Sequence, residues 1–282
     1  MQEGYLAEQP GPQPFSPQRA NVLGVGVHAI DLPQAAGIIE SAVAMQRKGY
    51  VCVTGVHGIM EAQRSAEFRQ ILDRALLVTP DGMPTVWVGR LEGHHYMRRV
   101  FGPDLMIEIC RRSTTRGYRH FLYGGNPGVA DQLSEVLIRS FPGIEIAGTY
   151  TPPFRDLSSE EEASLIDQVS QSKPDITWVG LSTPKQERFM SKYLHRLQST
   201  VMVGVGAAFD FHTGRIKDAP SWMKSSGLQW LHRLGQEPSR LWKRYLVNNC
   251  SFVSKLTLQL FRLRNYELRQ PEYGNEVLDV NG

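Results

Sequence analysis

Short runs rich in β-branched and aromatic residues alternate along the chain with longer stretches whose apolar positions recur at helical spacing. Val22-Leu23-Gly24-Val25, Tyr50-Val51-Cys52-Val53, Leu76-Leu77-Val78 and Arg119-His120-Phe121-Leu122-Tyr123 predict strands, and so do Ile144-Glu145-Ile146, Ile176-Thr177-Trp178-Val179 and Val201-Met202-Val203. Pro33 to Lys48, Val129 to Phe141, Ser158 to Gln171 and Lys185 to Leu197 predict helices between them. Strands alternating with helices of this length predict an α/β fold, a mainly parallel, doubly wound sheet with helices on both faces. Ligands of such sheets sit beyond the carboxyl ends of the strands.

The two ends of the chain break this rhythm. Residues 1–20 carry Pro10, Pro12, Pro14 and Pro17 with few large apolar groups, which predicts a disordered tail and no secretory signal. The catalytic domain is expected over 21–226. From Gly227 to residue 269 the charges are mostly basic (Arg233, Arg240, Lys243, Arg244, Lys255, Arg262, Arg264, Arg269), interleaved with Trp242, Tyr245, Phe252 and Phe261. That pattern suits an amphipathic helical appendage lying in a membrane interface, and equally a core helix with a solvated basic face. Residues 270–282 read as a flexible polar tail. No apolar run reaches the roughly 18 residues needed to span a bilayer.

Composition narrows the function classes. The chain has 282 residues, 41% hydrophobic and 21% charged, as ordinary soluble domains do. A formal net charge of +3 gives no reason to expect a nucleic-acid partner. Cys52, Cys110 and Cys250 fit neither zinc spacing nor a disulfide framework, which points to a reducing cytoplasm. The eight histidines form no ligand pattern and a D-x-D motif is missing, so no metal and no cofactor are expected.

Four constellations fall where strands lead into helices. Gly124 and Gly125 open a glycine-rich turn before a helix, suited to phosphate or simply to a tight turn; the G-x-G-x-x-G dinucleotide fingerprint is absent. Gly204-Val205-Gly206-Ala207-Ala208-Phe209 lacks its third glycine too. Asp81, within Thr79-Pro80-Asp81-Gly82-Met83-Pro84, can act as a general base or as a helix N-cap. In Ser182-Thr183-Pro184-Lys185-Gln186-Glu187, Lys185 suits a phosphate and Gln186 a sugar or base amide, unless the segment is only a well-formed helix start.

The order of these segments is more telling than any one of them. Thr54-Gly55-Val56-His57, Pro80-Asp81-Gly82-Met83, Arg99-Val100-Phe101-Gly102-Pro103-Asp104-Leu105 and Gly180-Leu181-Ser182-Thr183-Pro184-Lys185-Gln186-Glu187 come in succession. Gly204 to Asp210, Ala219-Pro220, Gly227-Leu228-Gln229-Trp230 and Glu237 to Tyr245 follow. From about residue 21 to 247 the sequence resembles the WecG/TagA/CpsF group of bacterial glycosyltransferases (glycosyltransferase family 26). The resemblance implies a Rossmann-like core and a C-terminal appendage that docks on an anionic membrane and closes the active site. It implies a metal-independent, inverting transfer of a sugar from UDP, of N-acetylmannosamine type, glucose or related, to an undecaprenyl-diphosphate-linked acceptor. The work would be done in the bacterial cytoplasm, on the inner face of the cytoplasmic membrane, by a hexosyl- or N-acetylhexosaminyltransferase. Asp81 then matches the base, Thr54 a threonine lining the same pocket, and Arg99 and Gln186 polar groups around donor and acceptor; His57, Lys185, Glu187 and Asp210, in the same segments, are further candidate substrate-binding residues. Gly124 and Gly125 would help hold the UDP, while Arg233, Arg240 and Lys243 match cations that face the diphosphate. Trimers occur among relatives, and the appendage suits a partner chain as well as a lipid surface.

Two departures stand out. Many members carry asparagine where this chain has Val56, which removes an amide near the reactive centre and points away from N-acetylmannosamine as the sugar. Lys243 stands where arginine is frequent and gives up bidentate phosphate geometry. This wording is similar to that of members tied to exopolysaccharide assembly. Two other classes share the fold expectation: a nucleotide-sugar oxidoreductase or epimerase, disfavoured by the missing fingerprint and Tyr-x-x-x-Lys pair, and a non-catalytic membrane-associated assembly protein.

Overall fold

The structure, a computed structural model, describes residues 17–268. Its elements begin with strands β1 (Arg19–Val22) and β2 (Val25–His28), helix α1 (Leu32–Ala44), β3 (Gly49–Thr54), α2 (Val56–Ala62), α3 (Ala66–Asp73), β4 (Leu77–Pro80), α4 (Met83–Leu91) and α5 (Gly102–Arg116). They continue with β5 (Arg119–Gly124), α6 (Val129–Ser140), β6 (Glu145–Tyr150), α7 (Ser159–Ser172), β7 (Ile176–Gly180), α8 (Lys185–Tyr193), β8 (Val201–Gly204) and α9 (Ala208–His212). Three helices close the chain: α10 (Ser221–Ser225), α11 (Gln229–Gln236) and α12 (Pro238–Leu260).

Six strands form one parallel sheet in the order β4-β3-β8-β7-β5-β6. The runs in β3, β7 and β8 are almost continuously apolar because both faces are covered. Ile59, Phe68, Leu72, Leu165 and Met190, from α2, α3, α7 and α8, pack on one face. Ile39, Leu105, Leu133 and Phe209, from α1, α5, α6 and α9, pack on the other. Local chemistry supports the boundaries: Asp31 and Ser158 build capping boxes on α1 and α7, satisfying amides that a helix start leaves orphaned. The expected α/β fold with helices on both faces is the observed one.

The N-terminal pattern needs correction. Val22-Leu23-Gly24-Val25 is a turn rather than one strand, with β1 and β2 pairing antiparallel outside the main sheet. Leu23 (φ 55°) and Gly24 (φ 77°) are both left-handed, as a two-residue hairpin loop whose twist matches its strands requires. The strained Leu23 is held by its surroundings, since its carbonyl accepts from Gln63 and its amide donates to Gln259. Arg19 and Ala20, expected in the N-terminal tail, belong to β1. That tail over residues 1–16 and the flexible tail at 270–282 lie outside the described residues.

The appendage is fastened at both ends. Helix α12 buries Leu241, and its Phe252 packs into the core of the body. Beyond it, the Tyr266 carbonyl accepts from Asn21 Nδ2, and Arg69 bridges the Gly24 and Glu267 carbonyls. Gln259 adds two bonds, donating to the Asn21 carbonyl and accepting from Leu23. Among the described residues no helix is long and apolar enough to cross a membrane.

Candidate active site

Because the sheet is parallel, the carboxyl ends of β3, β4, β5, β7 and β8 meet on one edge, and the segments after them surround a cleft of about 1800 Å³. Helices α11 and α12 form its far wall. The turn after β4 carries Asp81, whose backbone N–H donates to the Thr54 carbonyl at 3.0 Å. The two chains approach so closely that a Cβ on Gly55 would stand 2.6 Å from the Asp81 carbonyl oxygen, which explains a glycine there. The N-cap of α4 is Gly82, in the left-handed region at φ 97°, with no side-chain cap. Asp81 is therefore not spent on capping, and its carboxylate faces the cleft with 31% of its side chain exposed.

Arg99 supplies the counter-charge. Its Nε lies 3.6 Å from Asp81 Oδ1, its guanidinium stacks 4.1 Å from the centre of Phe101, and Nη2 donates to Gln229 of α11. Burial raises the Asp81 pKa, while Arg99 and Arg233 pull it back down. A carboxylate in this balance is a stronger base than a solvated one and is still kept ionised by cations.

Three guanidiniums line the cleft from the appendage: Arg233 on α11, close enough to act on Asp81, and Arg240 and Arg244 on α12. Glu237 binds two of them, accepting from Arg240 at 2.6 Å and Arg233 at 3.3 Å. Burial works against the Glu237 carboxylate, yet these arginines hold its pKa below the usual range. Burial lowers the Arg244 pKa, with Arg233 and Arg240 adding to the effect, and its Nε has no partner. Among the described residues Arg244 has no carboxylate within ion-pair distance, which leaves a cation that a diphosphate can neutralise with charge-assisted hydrogen bonds. Gly125, Asn126 and Asp210 line the neighbouring wall. Burial raises the Asp210 pKa, opposed by Arg215 and reinforced by Glu237.

Asp81, Arg99, Gly125, Lys185, Asp210, Arg233 and Arg240 thus all line one cleft. Others are placed differently. Thr54 is buried off the cleft surface, its hydroxyl donating to the Cys52 carbonyl and its methyl filling the space over Gly58. Gly124 (φ 126°) does not line the cleft either; a Cβ there would meet the Gly180 backbone at 2.6 Å, so close strand contact explains it. Glu187 is turned into the protein, accepting from Thr183 Oγ1 and Gln186 Nε2, and does not reach the cleft. Gln186 reaches the cleft, but its carbonyl oxygen is taken by the Gly206 N–H at 2.9 Å. His57 lines the cleft with both ring nitrogens already engaged, by the Thr183 carbonyl and by Asn248. Lys243 is exposed off the cleft, and Arg244 takes the place expected of it. Helical spacing carries that signal: Arg240, Arg244 and Asn248 stand four residues apart and share a face. Among the described residues no three His, Cys, Asp or Glu side chains gather into a metal-binding group.

Comparison with known proteins agrees with this geometry. Residues 20–266 match the glycosyl transferase WecG/TagA/CpsF family. The chain is 34% identical over 209 residues to an N-acetylglucosaminyldiphosphoundecaprenol N-acetyl-beta-D-mannosaminyltransferase of Bacillus spizizenii, covering 74% of this chain and 79% of that protein. It is 31% identical over 185 residues to a protein of the same name from Bacillus subtilis, covering 66% of this chain and 70% of the relative. With a match across nearly all of the described residues, the chain belongs to the glycosyl transferase WecG/TagA/CpsF family.

Proposed function

We propose that this glycosyltransferase moves a sugar from a UDP donor to an acceptor sugar carried on a polyprenyl diphosphate. The observation that carries the reading is that the ion-paired Asp81 carboxylate and the Arg233, Arg240 and Arg244 guanidiniums line one cleft. Asp81 takes the proton of the acceptor hydroxyl as its oxygen attacks the anomeric carbon. The bond from that carbon to the β-phosphate oxygen breaks on the opposite side, its electron pair leaves with UDP, and the anomeric centre inverts. The guanidiniums stabilise the charge developing on the diphosphate, a role that in other transferases falls to a divalent metal. The lipid-linked acceptor is supported by the relatives, whose name specifies N-acetylglucosaminyl-diphosphoundecaprenol. Val56 lines the cleft close to Asp81's strand edge, and its apolar side chain favours a donor sugar other than one recognised through an amide there.

The same reading puts the protein on the inner face of the cytoplasmic membrane as a peripheral protein. Trp230, Leu231, Trp242, Leu246 and Val247 of α11 and α12 are exposed large apolar side chains, and Lys243 lies exposed among them. Apolar groups flanked by cations are what an anionic lipid surface attracts. The testing experiment is release of UDP from a panel of UDP-sugars, with a synthetic polyprenyl-diphosphate-sugar acceptor and EDTA present. Acceptor-dependent release with one donor is the expected result. Release that EDTA abolishes would contradict the metal-free step, and silence with every donor would contradict the whole reading.

A further inference from the structure

His57 is a candidate substrate-binding residue in sequence, yet its hydrogen bonds are spoken for. Nε2 lies 3.2 Å from the Thr183 carbonyl oxygen, which can only accept, so Nε2 carries the proton. Nδ1 is then bare and accepts from Asn248 Nδ2 at 2.9 Å. The orientation of that amide is set from its other end: Asn248 Oδ1 is 2.5 Å from Arg64 Nη2, which can only donate. Every proton therefore has one consistent place, in the order Arg64 to Asn248 to His57 to Thr183. Asn248 is only 4% exposed, so a failed partner would leave a buried polar group unsatisfied.

We propose that Arg64, Asn248, His57 and the Thr183 carbonyl form a relay that seats α12 over the cleft, making His57 and Asn248 positioning residues rather than substrate ligands. The relay joins three elements: α2 and the turn after it give His57 and Arg64, α12 gives Asn248, and the segment entering α8 gives Thr183. Asn248 stands one turn beyond Arg244 and two beyond Arg240 on the same face of α12. Fixing Asn248 thereby fixes the rotation of the helix, and a slip of one residue, about 100°, would turn both arginines away from the cleft. The effect extends past Thr183, whose hydroxyl donates to Glu187, which in turn accepts from the Gln186 amide that holds Gly206. The charged groups acting on His57 are Arg244 from α12 and Glu61 and Arg64 from the α2 side. Burial, with Arg244 and Arg64, lowers the His57 pKa against the opposing pull of Glu61 and the Thr183 carbonyl, keeping the ring neutral as the relay needs.

This inference rests on the reading of Arg240 and Arg244 as partners of the UDP diphosphate, and two measurements on the full chain separate the two ideas. The first is the NMR titration of the His57 ring, assigned by loss of its signal in His57→Gln. Wild type should titrate below the ordinary histidine value. Asn248→Asp places a carboxylate between Arg64 and His57, so Nδ1 should gain a proton and the midpoint should rise by about one unit or more. An unmoved midpoint in Asn248→Asp would overturn the relay. The second is UDP affinity by calorimetry at pH 7. Asn248→Leu, which cannot bond to either neighbour, should weaken UDP binding about tenfold, the scale of one well-placed charged hydrogen bond. Asn248→Asp should stay within about threefold of wild type, since it keeps both partners. A moved midpoint with unchanged UDP affinity in Asn248→Leu would overturn the positioning role. Wild type that fails to bind UDP would overturn the functional reading instead, leaving the titration to decide the relay by itself.

Discussion

Arg99→Met removes the charge that holds Asp81 ionised while keeping much of the side chain's bulk over Phe101. The separation of 3.6 Å between Arg99 Nε and Asp81 Oδ1 corresponds to an attraction of about 4–5 kcal/mol at an effective dielectric near 20. Water reaches the pair, with 13% of the arginine and 31% of the aspartate side chain exposed, so only part of that attraction survives. Loss of a neighbouring arginine ordinarily moves a carboxylate by about 1–3 pH units, and Arg233 remains to oppose the change. A rise of about 1–2 units in the Asp81 pKa is the expected size. The sign follows from the chemistry: burial already raises this pKa, Arg99 lowers it, and the base works only when ionised. Activity is lost as pH falls through the Asp81 pKa, so the acid limb of the kcat profile should shift upward by that amount. The assay is UDP release from about pH 4.5 to 8.5 for wild type, Arg99→Met and Arg99→Lys, with thermal melts to confirm folding. Arg99→Lys should lie between the other two, because it keeps the charge but not the planar stacking. An acid limb that stays in place while kcat falls would refute the reasoning and leave Arg99 a ligand for substrate alone.

Other outcomes follow from neighbouring features. Gly124→Ala should destabilise the fold by about 2–4 kcal/mol in urea, combining left-handed backbone strain with a Cβ driven into the Gly180 backbone. A variant of wild-type stability that loses only UDP affinity would restore Gly124 to the phosphate cradle. His120 is buried beside Trp178, whose Nε1 donates to its Nδ1, and burial lowers its pKa to about 4. The unfolded chain then binds a proton at higher pH than the folded one, so stability drains away as pH falls from about 6.5 towards 4. Between pH 6.5 and 5 that is roughly 2 kcal/mol, which urea melts of His120→Gln should not show beyond the slope of other groups. Truncation near residue 225 should abolish a cooperative melt. It strips Leu241 and Phe252, worth about 1.5–3 kcal/mol each, and the bonds from Gln259 and Tyr266 to the N-terminal hairpin. A sharp transition close to that of the full chain would contradict this.

Much of the fold was legible because a parallel sheet writes itself as apolar runs. The runs at 50–53, 119–123, 176–179 and 201–203 each became a central strand. The hairpin at 19–28 was hidden because its turn is Leu23-Gly24 rather than an Asn-Gly or Asp-Gly pair, and its geometry is enforced by Gln63 and Gln259 from far along the chain. The site was legible where a residue directly follows a strand and lines the cleft, as Asp81 and Gly125 do. It was misread where neighbours in a motif face opposite ways. Gly124 and Gly125 are adjacent, yet one meets the Gly180 backbone and the other meets the cleft. Gln186 and Glu187 divide in the same manner between cleft and interior. On α12 the helical period would have selected Arg244 over Lys243. The partners of His57 were beyond reach of any local pattern, since Asn248 lies 191 residues away.

The central claim is that Asp81 is the base of a transfer from a UDP-sugar, and Asp81→Asn tests it most directly. The amide keeps the size of the side chain and removes its ability to take a proton. UDP affinity by calorimetry should stay near that of wild type, since the cleft arginines are untouched, while kcat for transfer to the polyprenyl-diphosphate-sugar acceptor should fall by about 10²–10⁴-fold. Turnover equal to wild type with UDP binding intact would remove Asp81 as the base and contradict the account.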